Sequence, residues 1–373
     1  MKVAHVHRIA GIGGSERHLL TLLPALSERD VEVRFVGLDV SGQASDPFYR
    51  ELAARGVPAV RLPSRGDVDP LLALRLPRLL RRLRPDVVHT HLVHADVYGA
   101  LATVGSPFAL VSTKHNDDPF RAGPFRLVER ALARRADAVV AITDSVRRFA
   151  IDNIGLPAAK IATIHYGLDE PPPPWNGDVA DAPSGRMLLG VGRLVEQKGY
   201  DTLVRALPAI RAAHPDVVLV VVGEGPLRRE LMRLAADLGV ADALHLPGRS
   251  GDVAAWMRRA EVFVHPSRWE GFGLVVLEAM LLGLPIVATR VSALPELIEH
   301  PVSGILVEPG NDATLAAAAI ELLGDASRRT TLGAAAQQRA RTAFSVARMA
   351  DATVALYRRV AAATSPAAQE SAV

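Results

Sequence analysis

The fold is read from one stretch: Val262-Phe-Val-His265-Pro-Ser-Arg-Trp-Glu270-Gly-Phe-Gly273-Leu-Val-Val-Leu-Glu278-Ala-Met-Leu281. Apolar residues up to His265 predict a short buried strand, Pro266 ends it, and the run after Gly273 predicts a helix. Strand, glycine turn and helix in that order are half of a βαβ unit. The first amides of such a helix are unpaired and carry the positive end of its dipole, which suits a diphosphate. Gly271 and Gly273 allow a ligand close to the backbone. Glu270 precedes the helix and Glu278 lies in its second turn, so each carboxylate can accept a pair of sugar or ribose hydroxyls. Either acid alone reads as a cap or a solvated charge; together with the glycine turn they read as a site.

The same alternation continues on both sides. Strands are predicted at Met187–Val191, Val217–Val222, Ala243–Leu246, Val262–His265, Pro285–Thr289 and Ile305–Val307. The first half gives Val3–His7, Glu32–Leu38, Ala59–Leu62, Asp86–Thr90, Ala109–Thr113, Ala138–Ile142 and Ile161–Ile164. Helical patterns lie between them, including Glu16–Glu28, Leu71–Leu83, Gly123–Ala136 and Ser145–Ile154. Short continuous apolar strands separated by amphipathic helices predict an α/β protein with parallel sheets covered on both faces. Pro171-Pro-Pro-Pro174, in a polar run to Arg186, interrupts the pattern and reads as a linker. The expected organisation is a domain over 1–168, a linker over 169–186, a second domain over 187–344, a helix over 345–363 and a frayed tail over 364–373. Ligands of open parallel sheets bind outside the strand C-termini, so a cleft between the two halves is expected.

Composition narrows the class. The chain has 373 residues, 49% hydrophobic, and no cysteine, which excludes a disulfide framework and a thiolate metal site. Basic and acidic residues number 43 and 40, and aromatics are 5%, with no basic-aromatic stripe, so no nucleic acid is expected. The start, Met1-Lys-Val-Ala-His-Val-His7, lacks the long apolar segment of a secretory signal, and no apolar run is long enough to span a membrane. A cytoplasmic protein is expected. One surface is singled out: Leu72, Leu76, Leu79, Leu80 and Leu83 share a helical face opposite Arg75, Arg78, Arg81 and Arg82. Core packing with a solvated basic face is favoured there, and peripheral contact with anionic membrane is the alternative.

Three further segments carry chemistry. Gly190-Val-Gly-Arg193-Leu-Val-Glu-Gln-Lys198-Gly199 follows a strand, and its two cations can neutralise a diphosphate leaving group. Lys198 is one of only four lysines. Gly11-Ile-Gly13-Gly14-Ser15-Glu16 follows the first strand without the spacing of a dinucleotide fingerprint, so it reads as a mobile loop at a site mouth. Val222-Gly223-Glu224-Gly225-Pro226 is a similar turn. His89, His91, His94 and His115 cluster near strand C-termini; a metal there is disfavoured for want of supporting acids, and His115 is the best active-site histidine.

These motifs, in this order, resemble family 4 of the retaining GT-B glycosyltransferases. The resemblance runs through Gly13–Glu16, Asp86-Val-Val-His89-Thr-His91, Gly192-Arg193 with Lys198-Gly199, Gly223–Pro226, Glu270 with Glu278, and Gly283-Leu-Pro285. Ser292-Ala293 departs from the glycines that relatives usually carry before Leu294-Pro295-Glu296. The resemblance implies two Rossmann-like domains facing across a central cleft, with the terminal helix returning to the first. It implies a nucleoside-diphosphate-sugar donor, retention of anomeric configuration, and neither cofactor nor metal. The catalytic set would be Glu270, His115, Arg193 and Lys198. The donor would meet Gly14, Arg193, Lys198, Gly223, Ser250, Glu270, Phe272, Gly273, Leu274 and Glu278. A glycan, lipid-linked or small-molecule acceptor would meet Gly13, Ser15, Glu16 and His115. An epimerase or phosphorylase of the same architecture, or a non-catalytic nucleotide-sugar-binding protein, is the alternative; a dehydrogenase is disfavoured by the glycine spacing near Gly11.

Overall fold

The computed structural model describes residues 1–9, 11–40, 45–66, 68–169, 179 and 182–364. It divides into two compact units, Met1–Gly167 with Ser345–Val373, and Leu168–Phe344. The proline run at 171–174 and the tail from 365 lie outside the described residues.

Unit 1 is built on β1 (Lys2–Ile9), β2 (Glu32–Val40), β3 (Ala59–Ser64), β4 (Val87–His91), β5 (Ala109–Lys114), β6 (Ala138–Ala141) and β7 (Ile161–Thr163). They form one parallel sheet in the order β3-β2-β1-β4-β5-β6-β7. β4, β5 and β6 are buried along their whole length, as strands covered on both faces must be. The register sets His5 beside His89 and His7 beside His91.

The helix Val346–Thr364 belongs to this unit. It packs Met349, Ala350, Val354 and Tyr357 into the cluster formed by Leu19, Leu22 and Leu23 of the helix Gly14–Ser27. On the other arginine-rich helix, Pro70–Leu83, Asp69 caps the amides of Leu71 and Leu72 at 2.9 and 3.3 Å. Its stripe Leu72, Leu76 and Leu80 is fully buried, while Leu79 and Leu83 are half-buried. The core therefore uses the apolar face of this helix.

Unit 2 carries β8 (Arg186–Val191), β9 (Val217–Val222), β10 (Leu244–Gly248), β11 (Val262–His265), β12 (Ile286–Thr289) and β13 (Ile305–Val307), all parallel, in the order β10-β9-β8-β11-β12-β13. Both sheets are Rossmann-like. In each, the chain leaves the first strand to one side and returns on the other, so the order reverses between β1 and β4 and between β8 and β11. The loops at such a switch point splay apart and leave room for a ligand.

Two helices depart from the expected bounds. The helix predicted over Gly123–Ala136 begins only at Arg126, after a 3₁₀ turn at Pro119–Ala122, because Gly123-Pro124 interrupts regular hydrogen bonding. The helix predicted over Ser145–Ile154 is an α-helix at Asp144–Phe149 that widens into a π turn at Ala150–Ile154, closed by Gly155 at φ 81°.

Candidate active site

The switch point of unit 2 assembles two segments distant in sequence. The loop after β8 carries Arg193 and Lys198; the loop after β11 carries Glu270. Backbone and side-chain bonds stitch these loops together. The Arg268 amide donates to the Gln197 carbonyl at 2.8 Å, Gln197 Nε2 donates to the Trp269 carbonyl at 3.1 Å, and the Arg268 guanidinium holds both oxygens of Asp201 at 2.9 and 2.7 Å. Gly199 is required where the loops cross. It sits at φ 63°, and a Cβ there would lie 2.1 Å from the Pro266 carbonyl oxygen.

Glu270 is the centre of the cluster. Its Oε2 pairs with Lys198 Nζ and with His265 Nε2, the latter at 3.0 Å. Ser267 Oγ lies 3.0 Å from the same His265 nitrogen, and the Glu270 amide donates to Ser292 Oγ at 3.3 Å. Burial alone would raise the Glu270 carboxyl, but the Lys198 charge, with the His265 and Lys198 bonds, brings it down to about 2. Burial lowers His265 despite its bond to that carboxylate. The result is an ionised carboxylate held on one oxygen, in front of the helix Leu274–Leu281, whose N-cap is Gly273 at φ 93°.

The other predicted donor residues fall on this C-terminal edge in different ways. Arg193 is exposed and contacts Gln197 at 3.4 Å. Gly223 follows β9, and its amide donates to the Gly248 carbonyl at 2.8 Å, next to the turn whose Ser250 Oγ accepts from the Asp252 amide at 3.2 Å. The Phe272 side chain is buried, edge-on to Phe344, so only its backbone is available to a ligand. Leu274 opens the helix, and Glu278 is half-buried one turn on. Ser292 adopts φ 44° and accepts from the Glu270 amide through its hydroxyl. Sequence reasoning assigned no role to His265, Ser267 or Ser292. The His-Pro-Ser run at a strand end was the one available signal.

In unit 1 the segment expected as a mobile loop is helical from Gly14: Gly13 is the N-cap of the helix Gly14–Ser27, and Ser15 and Glu16 lie in its first turn. Glu16 is buried, and both of its oxygens are engaged: Oε1 with His7 Nε2 at 3.1 Å, Oε2 with the Gly13 amide at 2.9 Å and Ser15 Oγ at 3.0 Å. Burial opposes ionisation of Glu16, but His7 and the loop amides outweigh it and hold its carboxyl below the usual range. Glu16 thus fixes the start of the helix from inside, whereas Gly13, Gly14 and Ser15 are more accessible. His7 is clamped between acceptors, its Nδ1 lying 3.1 Å from the His91 carbonyl.

His115 follows β5 and is also buried, with Nδ1 bonded to Tyr166 Oη and Nε2 3.1 Å from His91 Nδ1. His94 does not share the strand-end position of His89 and His91. It lies in the helix Leu92–Ala102, 2.6 Å from Arg8 Nη1. His5, His89 and His91 could offer a metal three ring nitrogens within 4.8 Å of one another. Those rings already share their nitrogens in hydrogen bonds with one another, with Tyr357 and with neighbouring residues. Beneath the His115–Arg121 loop, Lys114 bridges Asp96 at 2.6 Å and Glu129 at 2.9 Å, and Arg121 meets Glu129 at 2.6 Å.

Comparison with known proteins fits this arrangement. Residues 12–170 match the model described as Glycosyltransferase Family 4, and residues 179–339 match Glycosyl transferases group 1. The lipopolysaccharide core biosynthesis glycosyltransferase LpsE of Rhizobium meliloti is 29% identical over 89% of this chain and 92% of its own length. A GDP-mannose-dependent alpha-(1-6)-phosphatidylinositol monomannoside mannosyltransferase of Mycobacterium tuberculosis is 30% identical over 79% of this chain and 82% of its own. Among solved structures, Anabaena Alr3699/HepE in complex with UDP superposes with a TM-score of 0.83 over 96% of this chain and all of that one, at 24% identity. That likeness establishes the GT-B fold. On its sequence and its two Rossmann-like sheets, the chain belongs to glycosyltransferase family 4 and is an enzyme that transfers glycosyl groups.

Proposed function

We propose that the enzyme transfers a sugar, with retention of anomeric configuration, from a nucleoside-diphosphate sugar to a glycan or lipid-linked acceptor. The observation that carries this reading is Glu270, ionised and held on one oxygen by Lys198 and His265 in front of a helix N-terminus. A diphosphate leaving group needs its growing charge stabilised by groups already in place. Arg193, Lys198 and the amides of Phe272, Gly273 and Leu274 supply that charge, and they do so without a divalent metal. Glu270 Oε1 accepts a sugar hydroxyl, Glu278 accepts the ribose hydroxyls, and Gly223 with Ser250 lines the base. Unit 1 supplies the acceptor contacts from Gly13, Ser15 and His115, with Glu16 acting behind them and Gly14 serving the donor. The reading is supported by the HepE structures, which hold UDP and UDP-glucose, and by the GDP-mannose dependence of the mannosyl relative.

The test is incubation with UDP-, GDP-, ADP- and TDP-sugars over a panel of glycan and lipid-linked acceptors. Nucleoside diphosphate should be released only when acceptor is present, the product should keep the donor's anomeric configuration, and EDTA should leave the rate unchanged. Acceptor-independent release, or an inverted product, would refute it. No helix among the described residues is long and apolar enough to cross a membrane. We assign contact with a lipid-borne acceptor to the solvent side of Pro70–Leu83, where Leu71 and Leu74 are about half exposed among Arg75, Arg78, Arg81 and Arg82. Vesicles containing anionic lipid should float the protein at low salt and release it at high salt. Equal flotation of the triple variant Arg78→Glu, Arg81→Glu, Arg82→Glu would remove this surface from the account.

A further inference from the structure

We propose that a single-file hydrogen-bond chain through His89, Tyr357, His5 and His91 fixes the tautomer of His115, making Thr113 and Tyr357 positioning residues for that ring. The proposal builds on the assignment of His115 to the substrate contacts of the transfer reaction.

The chain is continuous. Thr113 Oγ1 lies 2.6 Å from His89 Nε2, and His89 Nδ1 lies 2.5 Å from Tyr357 Oη. Tyr357 Oη lies 3.2 Å from His5 Nε2, His5 Nδ1 lies 3.0 Å from His91 Nε2, and His91 Nδ1 lies 3.1 Å from His115 Nε2. His115 Nδ1 closes the sequence on Tyr166 Oη. Every ring uses both nitrogens. Burial holds His5 down to about 3 and His89, His91 and His115 well below the usual histidine range, so all four are neutral.

A neutral imidazole has one donor and one acceptor nitrogen. In single file, each ring's choice then dictates the next. Only two arrangements put a single hydrogen in every link of the file: every histidine protonated on Nδ1, or every one on Nε2. The Thr113 end sets the preference between them. Thr113 is buried, and its hydroxyl has no other hydrogen bond among the described residues. If His89 donated from Nε2, the Thr113 hydrogen would be left without an acceptor among the described residues. An unpaired buried donor disfavours that arrangement by about tenfold or more. The favoured polarity therefore runs from Thr113 through His89, Tyr357, His5 and His91 to His115, with Nδ1–H on all four histidines. His115 then donates to Tyr166, and its Nε2 is an acceptor.

The register of the sheet makes this possible. β1 and β4 are neighbours with His5 opposite His89, β5 brings Thr113 opposite His91, and the terminal helix lowers Tyr357 between His5 and His89. Tyr357 is fully buried, and its hydroxyl bridges His5 and His89.

The test is long-range proton–nitrogen correlation on protein labelled with nitrogen-15 histidine, with signals assigned by single histidine replacements. Wild-type His115 should be at least about 90% in the Nδ1–H form. Thr113→Val removes the donor that sets the polarity, and His115 should become a mixture of tautomers; Thr113→Ser should restore the single form. Tyr357→Phe, an independent cut, should move the His115 signal as well. At full fold, judged by an unchanged melting transition, kcat should fall with the lost Nδ1–H population, about twofold for an even mixture. An Nε2–H His115 in the wild type, a His115 signal unmoved by both cuts, or stoichiometric metal on His5, His89 and His91 would overturn the proposal. A shifted tautomer with unchanged kcat would sever its link to the reaction. The tautomer readout needs no substrate, so its failure and the failure of the transfer reading are seen separately.

Discussion

Replacing Lys198 by alanine should lower kcat by two to three orders of magnitude, roughly what removal of one preorganised charge-stabilising donor costs. Lys198 reaches the site because Gly199 lets its loop pass under Pro266, and Arg268 and Gln197 tie that loop to the one carrying Glu270. Its ammonium is mostly shielded, with 13% of the side chain exposed, so its charge is weakly screened. Glu270→Gln keeps the shape of the acid and removes the charge. It should lower kcat by a similar factor, and the double variant should lose less than the product of the two, because the pair acts as one unit. The cores of both units lie elsewhere, so each variant should still fold. The measurement is kcat at saturating donor with a melting transition recorded alongside. Turnover within threefold of wild type for both variants would remove the pair from the mechanism.

The second large effect is on stability. Glu129→Ala should cost unit 1 about 3–5 kcal/mol, the usual result of removing one partner from a buried ion network. Asp96 and Glu129 are balanced by Lys114 and Arg121, and all four side chains are almost inaccessible. Removing Glu129 leaves two buried cations facing one anion. A unit of this size should lose about 10 °C in its melting transition. The same network holds the loop after β5, since Arg121 also bonds Asn116 Oδ1 at 3.2 Å. Burial alone would raise the Glu129 carboxyl, but Lys114 and Arg121 hold it below its ordinary value of 4.5. A depressed carboxyl contributes stability that is present above its unfolded value and lost as pH falls. The gap between wild type and Glu129→Gln should therefore be full at neutral pH and narrow below about pH 4.5. A variant melting within about 2 °C of wild type at neutral pH would contradict this account.

Much of the fold was legible in the sequence, because parallel strands buried on both faces leave short uninterrupted apolar runs. β9, with its Val217–Val222 run, is the clearest case. Helix starts were less legible where glycine and proline compete, as at Gly123-Pro124. The candidate site was half legible. Glu270, Glu278, Arg193 and Lys198 stand out by type and spacing, but nothing in the chain says that Lys198 pairs with a residue 72 positions away. The adjacency of β8 and β11 decides that. His265 was visible only as a strand end, and its bond to Glu270 follows from the tight Pro266–Trp269 turn. His89, His91 and His115 attracted notice as a cluster. Their partners did not, because His5 comes from β1 and Tyr357 from a helix 268 residues beyond His89. The sequence marks Glu16 as an acceptor contact but does not reveal the three hydrogen bonds by which it braces its own turn.

The central claim is that Lys198, held in place by Glu270, binds the diphosphate of the donor, and calorimetric titration of UDP and GDP into wild type and Lys198→Ala tests it most directly. At least one nucleotide should bind wild type at one site per chain, and Lys198→Ala should bind it at least about tenfold more weakly, a loss of about 1.4 kcal/mol or more. Equal affinity in the two proteins, or no binding of either nucleotide to a folded wild type, would contradict it.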